Sequence, residues 1–248
     1  MTSNRFFILL LLLSTAGLGT PVAAQVQPAN NSSCGTLFSS GQYGPYDFRT
    51  DKDKLPIVLG AHFTPEVEAL IRGKSSGTPG GDIAYTLSAI PNYPNALIAM
   101  MRLAEKEKTP QPRGSRYSVE CWFERALRFR PDDNVARMIY ATFLAKNGRT
   151  PQVLEQLEQV TATAGDNAFT HYNAGLIYAD IKDYDKALAQ AHRALALGLP
   201  RPELRDRLQA AGKWQEQVAK PLLATTAPDE ATGAATGRSA PPTAPASR

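Results

Sequence analysis

Apolar side chains recur at helical spacing along most of the chain and predict a protein built from helices. The segment ALIAMMRLAEK, which begins at Ala96, and the segment YSVECWFERALRF, which begins at Tyr117, each place their large apolar residues on one face. Turn-forming residues separate such segments. Asn147 and Gly148 favour the end of one helix, and Pro151 suits the first turn of the next. The pattern therefore predicts an all-α fold.

Residues 168–200 have the pattern of two helices joined by a short turn. Asp183 is placed to cap the second of these helices. Small or aromatic residues stand where the two helices would press together: Ala174, Gly175, Tyr178, Ala187, Ala191 and Ala194. Small or apolar residues also occur 34 positions before most of these: Ala141, Leu144, Val153, Leu157 and Val160. The segment is therefore interpreted as one copy of a repeat.

These copies resemble the tetratricopeptide repeat, a helix pair of about 34 residues, and the chain is similar to an exported bacterial member of that family. The resemblance implies a right-handed α-solenoid of about three to four helix pairs over residues 61–222. The segment PELRDRLQAAG, which follows Arg201, would close the stack as a capping helix. The copy before residue 168 matches less well, because Arg137 stands where the family prefers a large residue such as Trp.

The first 24 residues have the features of a cleaved signal peptide. A short positive lead ends at Arg5, an apolar run spans residues 6–13, and Val22-Ala23-Ala24 forms a small-residue cleavage site. The apolar run is shorter than the roughly 20 residues that a membrane span needs. Together with the repeat resemblance, residues 1–24 predict a periplasmic protein secreted by way of its signal peptide. Secretion out of the cell is the alternative.

Two further segments lack helical periodicity. Residues 25–60 are predicted to form an irregular, extended segment that lies on the helices. Its packing anchors would be Tyr43, Tyr46 and Phe48. Residues 223–248 are rich in Ala, Pro and Thr, and they hold too little apolar surface to offset the entropy of ordering. They are predicted to be a disordered tail.

Charge narrows the choice of partners. The chain has 27 Lys and Arg against 23 Asp and Glu, a formal net charge of +4, and loss of Arg5 with the signal peptide would leave +3. So mild a charge argues against a nucleic-acid partner. Basic residues do cluster between positions 102 and 130, where they could meet anionic lipid or cell-wall polymer. A solvated helical surface is the commoner explanation for such a cluster.

The chain has two cysteines, Cys34 and Cys121. A buried thiol is the usual fate of a helical cysteine, but in an oxidising compartment the two residues form a natural disulfide pair. The bridge would close a loop of 88 residues, which could stabilise the fold by about 4 kcal/mol. It would staple the N-terminal segment to the helix that contains Cys121.

No motif points to catalysis, a cofactor or a metal. Gly73-Lys74-Ser75 resembles the end of a phosphate-binding loop, but that loop needs a glycine at position 68, which is Glu68. Asp51 opens a charge run like that of a calcium loop, yet Pro56 occupies the required glycine position. Three histidines lie on different predicted helices without a further metal ligand: His62, His171 and His192. The protein is therefore expected not to be an enzyme and to carry no cofactor and no metal.

In tetratricopeptide repeats the first helix of each pair lines a concave surface. The resemblance implies that ten side chains point into it: Met101, Arg102, Glu105, Met138, Thr142, Lys146, Tyr172, Asn173, Leu176 and Asp180. A mixture of apolar, polar and charged side chains suits a peptide or another helix.

The expected function is that of an exported, non-catalytic adaptor or scaffold that binds a protein or peptide partner in the bacterial cell envelope. Membrane association is not required for this role. One alternative is an envelope enzyme or enzyme subunit with an unrecognised site. The other is a structural or assembly factor whose groove holds its own N-terminal segment.

Overall fold

The computed structural model describes residues 34–38 and 43–216, and these residues form helices and loops without a strand. The predicted all-α fold is confirmed. The helices are α1 (Leu55–His62), α2 (Pro65–Glu68), α3 (Pro79–Ala89), α4 (Pro94–Glu107), α5 (Val119–Phe129), α6 (Asn134–Lys146), α7 (Thr150–Thr163), α8 (Ala168–Asp180), α9 (Tyr184–Ala196) and α10 (Pro202–Ala210). The predicted signal peptide, residues 1–24, and the predicted tail, residues 223–248, lie outside the described residues.

The helices pack as successive pairs. α6 packs on α7 and α8 packs on α9, and each pair is joined by only three residues, which makes the two helices of a pair antiparallel neighbours. α4, α6 and α8 contact one another in that order, and α10 packs on both α8 and α9. One row of helices therefore runs through the molecule, with α5, α7 and α9 packed beside it.

Local signals in the sequence set the helix ends. The Asp183 carboxylate accepts the Lys186 N–H at the start of α9, as its position predicts. Gly148 has a φ of +69° between α6 and α7, which a glycine adopts without steric cost. Pro151 lies in the first turn of α7, where a missing N–H leaves no hydrogen bond unmade.

The core lies between the helix rows. The first half is built around Trp122 and Phe123 of α5, which are almost completely buried, and the second half around Leu144 and Tyr178. Gly175 is where α10 approaches most closely, because a Cβ there would overlap the side chain of Leu204. Its small size thus serves contact with α10 more than contact with α9.

The N-terminal segment differs in part from its prediction. Residues 55–60, expected to be extended, belong to α1, which begins with Pro56 in its first turn and buries Leu55 and Val58. The described residues just before α1, from Tyr43 onward, do lie on the helices. Tyr43, Tyr46 and Phe48 pack around a small apolar cluster that joins α1 to the end of α3.

Candidate functional site

A disulfide and two arginines hold the start of the described chain against α5. Cys34 and Cys121 are bonded, with their Cα atoms 5.1 Å apart, so the predicted pairing is confirmed. Arg125, which is almost fully buried, donates to the carbonyl oxygens of Cys34 (3.0 Å) and Thr36 (2.7 Å). Arg128 donates to the carbonyl oxygen of Gly35 at 2.8 Å. Two members of the basic cluster predicted from the sequence thus bind backbone carbonyl oxygens within the protein.

A buried polar network fixes the next part of the segment. The Asn92 side chain is inaccessible to solvent, and its amide nitrogen donates to Asp47 (2.7 Å) and to Asp133 (2.8 Å). Its amide oxygen accepts the Phe48 N–H at 3.0 Å. Arg130 adds a hydrogen bond of 2.5 Å to Asp47. Asn92 therefore links the N-terminal segment to the turn before α4 and the turn before α6.

This network makes stability depend on pH. Burial alone would raise the pKa of Asp47, but hydrogen bonds from Arg49, Asn92 and Arg130 outweigh burial and lower that pKa far below its ordinary value. A carboxyl group with a lowered pKa in the fold stabilises fully above its unfolded pKa of about 3.9, and that stabilisation is lost as pH falls further.

We expect the free energy of unfolding to fall below about pH 4, by on the order of 2 kcal/mol from this one group. The Asp47→Asn variant should be less stable at pH 7 and should lose less stability on acidification. Urea unfolding at a series of pH values measures both slopes. Parallel pH profiles for the two proteins would contradict this role of Asp47.

The loop that resembles part of a phosphate-binding loop is already occupied by a side chain of the protein. Asp82, which is inaccessible to solvent, accepts the N–H groups of Lys74 (2.6 Å), Ser75 (3.1 Å) and Ser76 (3.1 Å). His62 Nδ1 lies 2.9 Å from the same carboxylate. The amides that would surround a phosphate therefore hold an internal carboxylate, so this loop has a structural role.

The other histidines also have partners within the protein. His171 lies within hydrogen-bond distance of Gln190 and of the Gly165 carbonyl oxygen, and His192 of the Gln215 carbonyl oxygen. Within residues 34–38 and 43–216, one group could offer three ligand atoms to a cation, and it consists of Cys34, Cys121 and Glu124. Both of its sulfur atoms are committed to the disulfide.

A cleft between α6 and α8 brings together half of the predicted groove residues. Its volume is about 300 Å3. The predicted residues that line it are Met138, Thr142, Asn173, Leu176 and Asp180. Val135, Ile139 and Ile177 complete its wall, and 47% of Val135 is exposed. The result is an apolar floor with an amide, a hydroxyl and a carboxylate at its rim.

Met101 and Tyr172 are not on this surface. Met101 is buried in the apolar core between α3 and α6. Tyr172 is 4% exposed, and its hydroxyl donates to Glu203 of α10 at 3.3 Å. The closing helix α10 covers this position, so Tyr172 supports the stack.

The remaining predicted groove residues lie on α4 and at the end of α6. Glu105 of α4 and Lys146 of α6 form an ion pair of 2.8 Å that crosses from one helix to the next. Arg102 lines a separate polar cleft of about 220 Å3 with Glu68 and Asn95. A second ion pair between helices joins Asp180 of α8 to Arg207 of α10 at 2.5 Å. This pair was not predicted from the sequence.

A larger cleft, of about 590 Å3, lies on α5 beside the disulfide and was not predicted. Its wall includes Glu120, Glu124, Leu127 and Tyr140. Tyr140 donates to Glu120 at 2.9 Å, and burial together with this hydrogen bond raises the pKa of Tyr140 well above its ordinary value. An unreactive phenol of this kind is a structural donor at pH 7.

The carboxylates of this larger cleft are already neutralised. Arg149 donates to Glu120 at 2.7 Å, and Arg128 lies 3.2 Å from Glu124. Glu124 also approaches Cys34 Sγ to 2.8 Å. A disulfide sulfur has no proton to donate, so this last approach is a contact and not a hydrogen bond.

Comparisons of the chain with protein-family models, curated proteins and solved structures gave no match. Among the described residues, no helix has both the length and the apolar character needed to cross a membrane.

Proposed function

We propose that this protein is an exported, non-catalytic adaptor of the tetratricopeptide-repeat type, which binds a segment of a protein partner in the periplasm. The observation that carries the proposal is the cleft between α6 and α8. It lies on two successive first helices of the pairs, where the repeat resemblance puts a ligand surface. The disulfide is compatible with an exported protein.

The cleft has the chemistry of a peptide site. Val135, Ile139 and Leu176 offer apolar contact, which gives a bound segment its affinity. Asn173 and Thr142 offer hydrogen bonds at the rim, which fix its orientation. Asp47 and Tyr140, two described groups with strongly shifted pKa values, are engaged elsewhere in internal hydrogen bonds.

The alternative in which the groove holds the protein's own N-terminal segment has less support. The described part of that segment packs on α5 through Cys34 and on the α3 end through Tyr46. None of its described residues lines the α6–α8 cleft. An external partner is therefore the better occupant.

Photocrosslinking in intact cells tests the adaptor function. A photoreactive amino acid at Ile139, which lines the cleft, should give a discrete product with another protein. The same amino acid at Gln159, exposed on α7, should not. Val135→Asp should abolish the Ile139 product by placing a charge on the apolar wall, whereas Leu195→Asp, an equally drastic change at an exposed apolar residue of α9, should leave it intact.

The other possible outcomes of the photocrosslinking experiment also bear on the adaptor function. A product formed equally well from positions 139 and 159, or none from position 139, would contradict the adaptor function. A product that joins position 139 to residues 25–33 of the same chain would instead establish the groove as a site for the N-terminal segment.

A further inference from the structure

The positive charge of the protein is concentrated at one end of the molecule. The loop before α3, residues 69–78, and the stretch from the end of α4 to the start of α5, residues 106–118, together contain six cations and a single carboxylate, Glu107. Their excess of five positive charges is larger than the formal net charge of the whole chain, which is +4. The rest of the protein is therefore close to neutral.

These two segments form one continuous surface. A Cβ added to Gly80 would overlap the Arg113 carbonyl oxygen, and one added to Gly114 would overlap the Thr78 hydroxyl. Lys106 Nζ donates to the Leu70 carbonyl oxygen at 2.8 Å, which ties the end of α4 to the loop after α2. We call this the cationic end. Its cations are all exposed: Arg72, Lys74, Lys106, Lys108, Arg113 and Arg116.

The cations of this end are not engaged in ion pairs, unlike many others in the protein. Among the described residues, Arg72 alone of the six has a carboxylate within 4.0 Å, Glu66 at 3.9 Å. The one carboxylate within the two segments, Glu107, accepts the backbone N–H of Arg113 at 2.7 Å. Elsewhere, exposed cations such as Lys146, Arg193 and Arg207 each pair with an acid. The cationic end thus presents a field that an external anion can neutralise.

An apolar side chain stands among these charges. Ile71, between Leu70 and Arg72, is 71% exposed, the highest value among the large apolar residues that the structure describes. A single exposed isoleucine is ordinary on a protein surface. Ile71 is next to Arg72 and close in sequence to Lys74, however, so it can enter the headgroup layer of a bilayer while these two cations contact phosphate. A purely polar polyanion would leave Ile71 in water.

We propose that the cationic end docks on a membrane surface rich in anionic phospholipid, with Ile71 inserted among the headgroups. Each cation at such a surface raises partitioning roughly fivefold. This binding is peripheral and reversible, and it leaves the α6–α8 cleft free. The docking proposal goes beyond the adaptor function, because it concerns the surface on which the adaptor is held and not the partner that the adaptor binds.

The proposal can be tested by co-sedimentation with vesicles. The sample is the protein purified in the form in which the cell produces it. The protein should bind phosphatidylcholine vesicles that contain phosphatidylglycerol far better than vesicles of phosphatidylcholine alone, and added salt should release it. The Lys74→Gln/Arg113→Gln variant should bind roughly 25-fold more weakly. A matched control, Arg201→Gln/Lys213→Gln, removes two exposed charges at the other end of the chain and should bind like the wild type. Because both variants keep the same N-terminal residues, those residues cannot produce a difference between them.

The Ile71→Ser variant identifies the class of anion. It should weaken vesicle binding by at least roughly fivefold while leaving the fold intact, since Ile71 is exposed. Equal binding to both kinds of vesicle, or equal losses in the two double variants, would overturn the proposal. So would unchanged binding by Ile71→Ser together with full competition by soluble polyphosphate, which would assign the cationic end to an anionic polymer.

Discussion

Replacing both cysteines with serine is expected to lower the free energy of unfolding by about 4 kcal/mol. The disulfide joins residues 87 positions apart, so it removes many conformations from the unfolded chain. Serine is close to cysteine in size, and the arginine contacts to the N-terminal segment remain possible, so the folded state changes little. Urea unfolding followed by tryptophan fluorescence, to which Trp122 contributes from its buried position next to Cys121, measures the loss.

Reduction is the matched control for this variant. A reductant should move the unfolding midpoint of the wild type to that of Cys34→Ser/Cys121→Ser, and it should leave the variant unchanged. If the double variant were as stable as the oxidised wild type, the disulfide would not stabilise the protein by restricting the conformations of the unfolded chain.

Replacing Asn92 with leucine is expected to cost about 3–5 kcal/mol, because two buried carboxylates lose a donor at once. Leucine has a similar branched shape, so the change removes hydrogen bonds more than volume. Asp47 and Asp133 would face each other across an apolar side chain, and the Phe48 N–H would lose its acceptor.

Asn95→Leu is the control for Asn92→Leu, since Asn95 lies three residues away, is exposed and donates to the exposed Glu68. It should lower the free energy of unfolding by no more than about 0.5 kcal/mol. Similar losses in the two variants would mean that the Asn92 network does not anchor the N-terminal segment.

The parts of the fold that follow from the sequence are those with local causes. The cap at Asp183, the left-handed turn at Gly148 and the proline in the first turn of α7 each depend on a few neighbouring residues. The disulfide was also predictable, because a chain with two cysteines allows one intramolecular pair.

Helix α1 was missed for a physical reason. Its sequence, LPIVLGAH, is apolar almost throughout, so it has no polar face to reveal a helical period. It buries Leu55 and Val58 but leaves Ile57 67% exposed. Only contact with the α3 end decides which of its apolar residues are covered.

The structure brings together only part of the residue set predicted to line the groove. Met138, Thr142 and Leu176 line one cleft as the repeat spacing implies. Tyr172 belongs to the same helix as Leu176 but is covered by α10, which lies about 30 residues further along the chain. Spacing within a helix cannot reveal such a distant neighbour.

The basic residues between positions 102 and 130 are a second case in which the sequence does not reveal contacts with distant parts of the chain. In the sequence they form one cluster, yet Arg125, Arg128 and Arg130 bind the N-terminal segment from about 90 positions away. The more N-terminal ones, such as Arg113, remain open to solvent. Charge counting alone does not separate these two roles.

The disulfide also decides how the molecule would bear a mechanical load. A pull on the chain before Cys34 passes through the sulfur atoms directly to Cys121 in α5. Residues 35–120, which include α1 to α4, lie outside that path and carry no tension while the bridge is intact. Beyond the bridge, such a load therefore first extends the chain after Cys121, and the loop of residues 35–120 is not stretched.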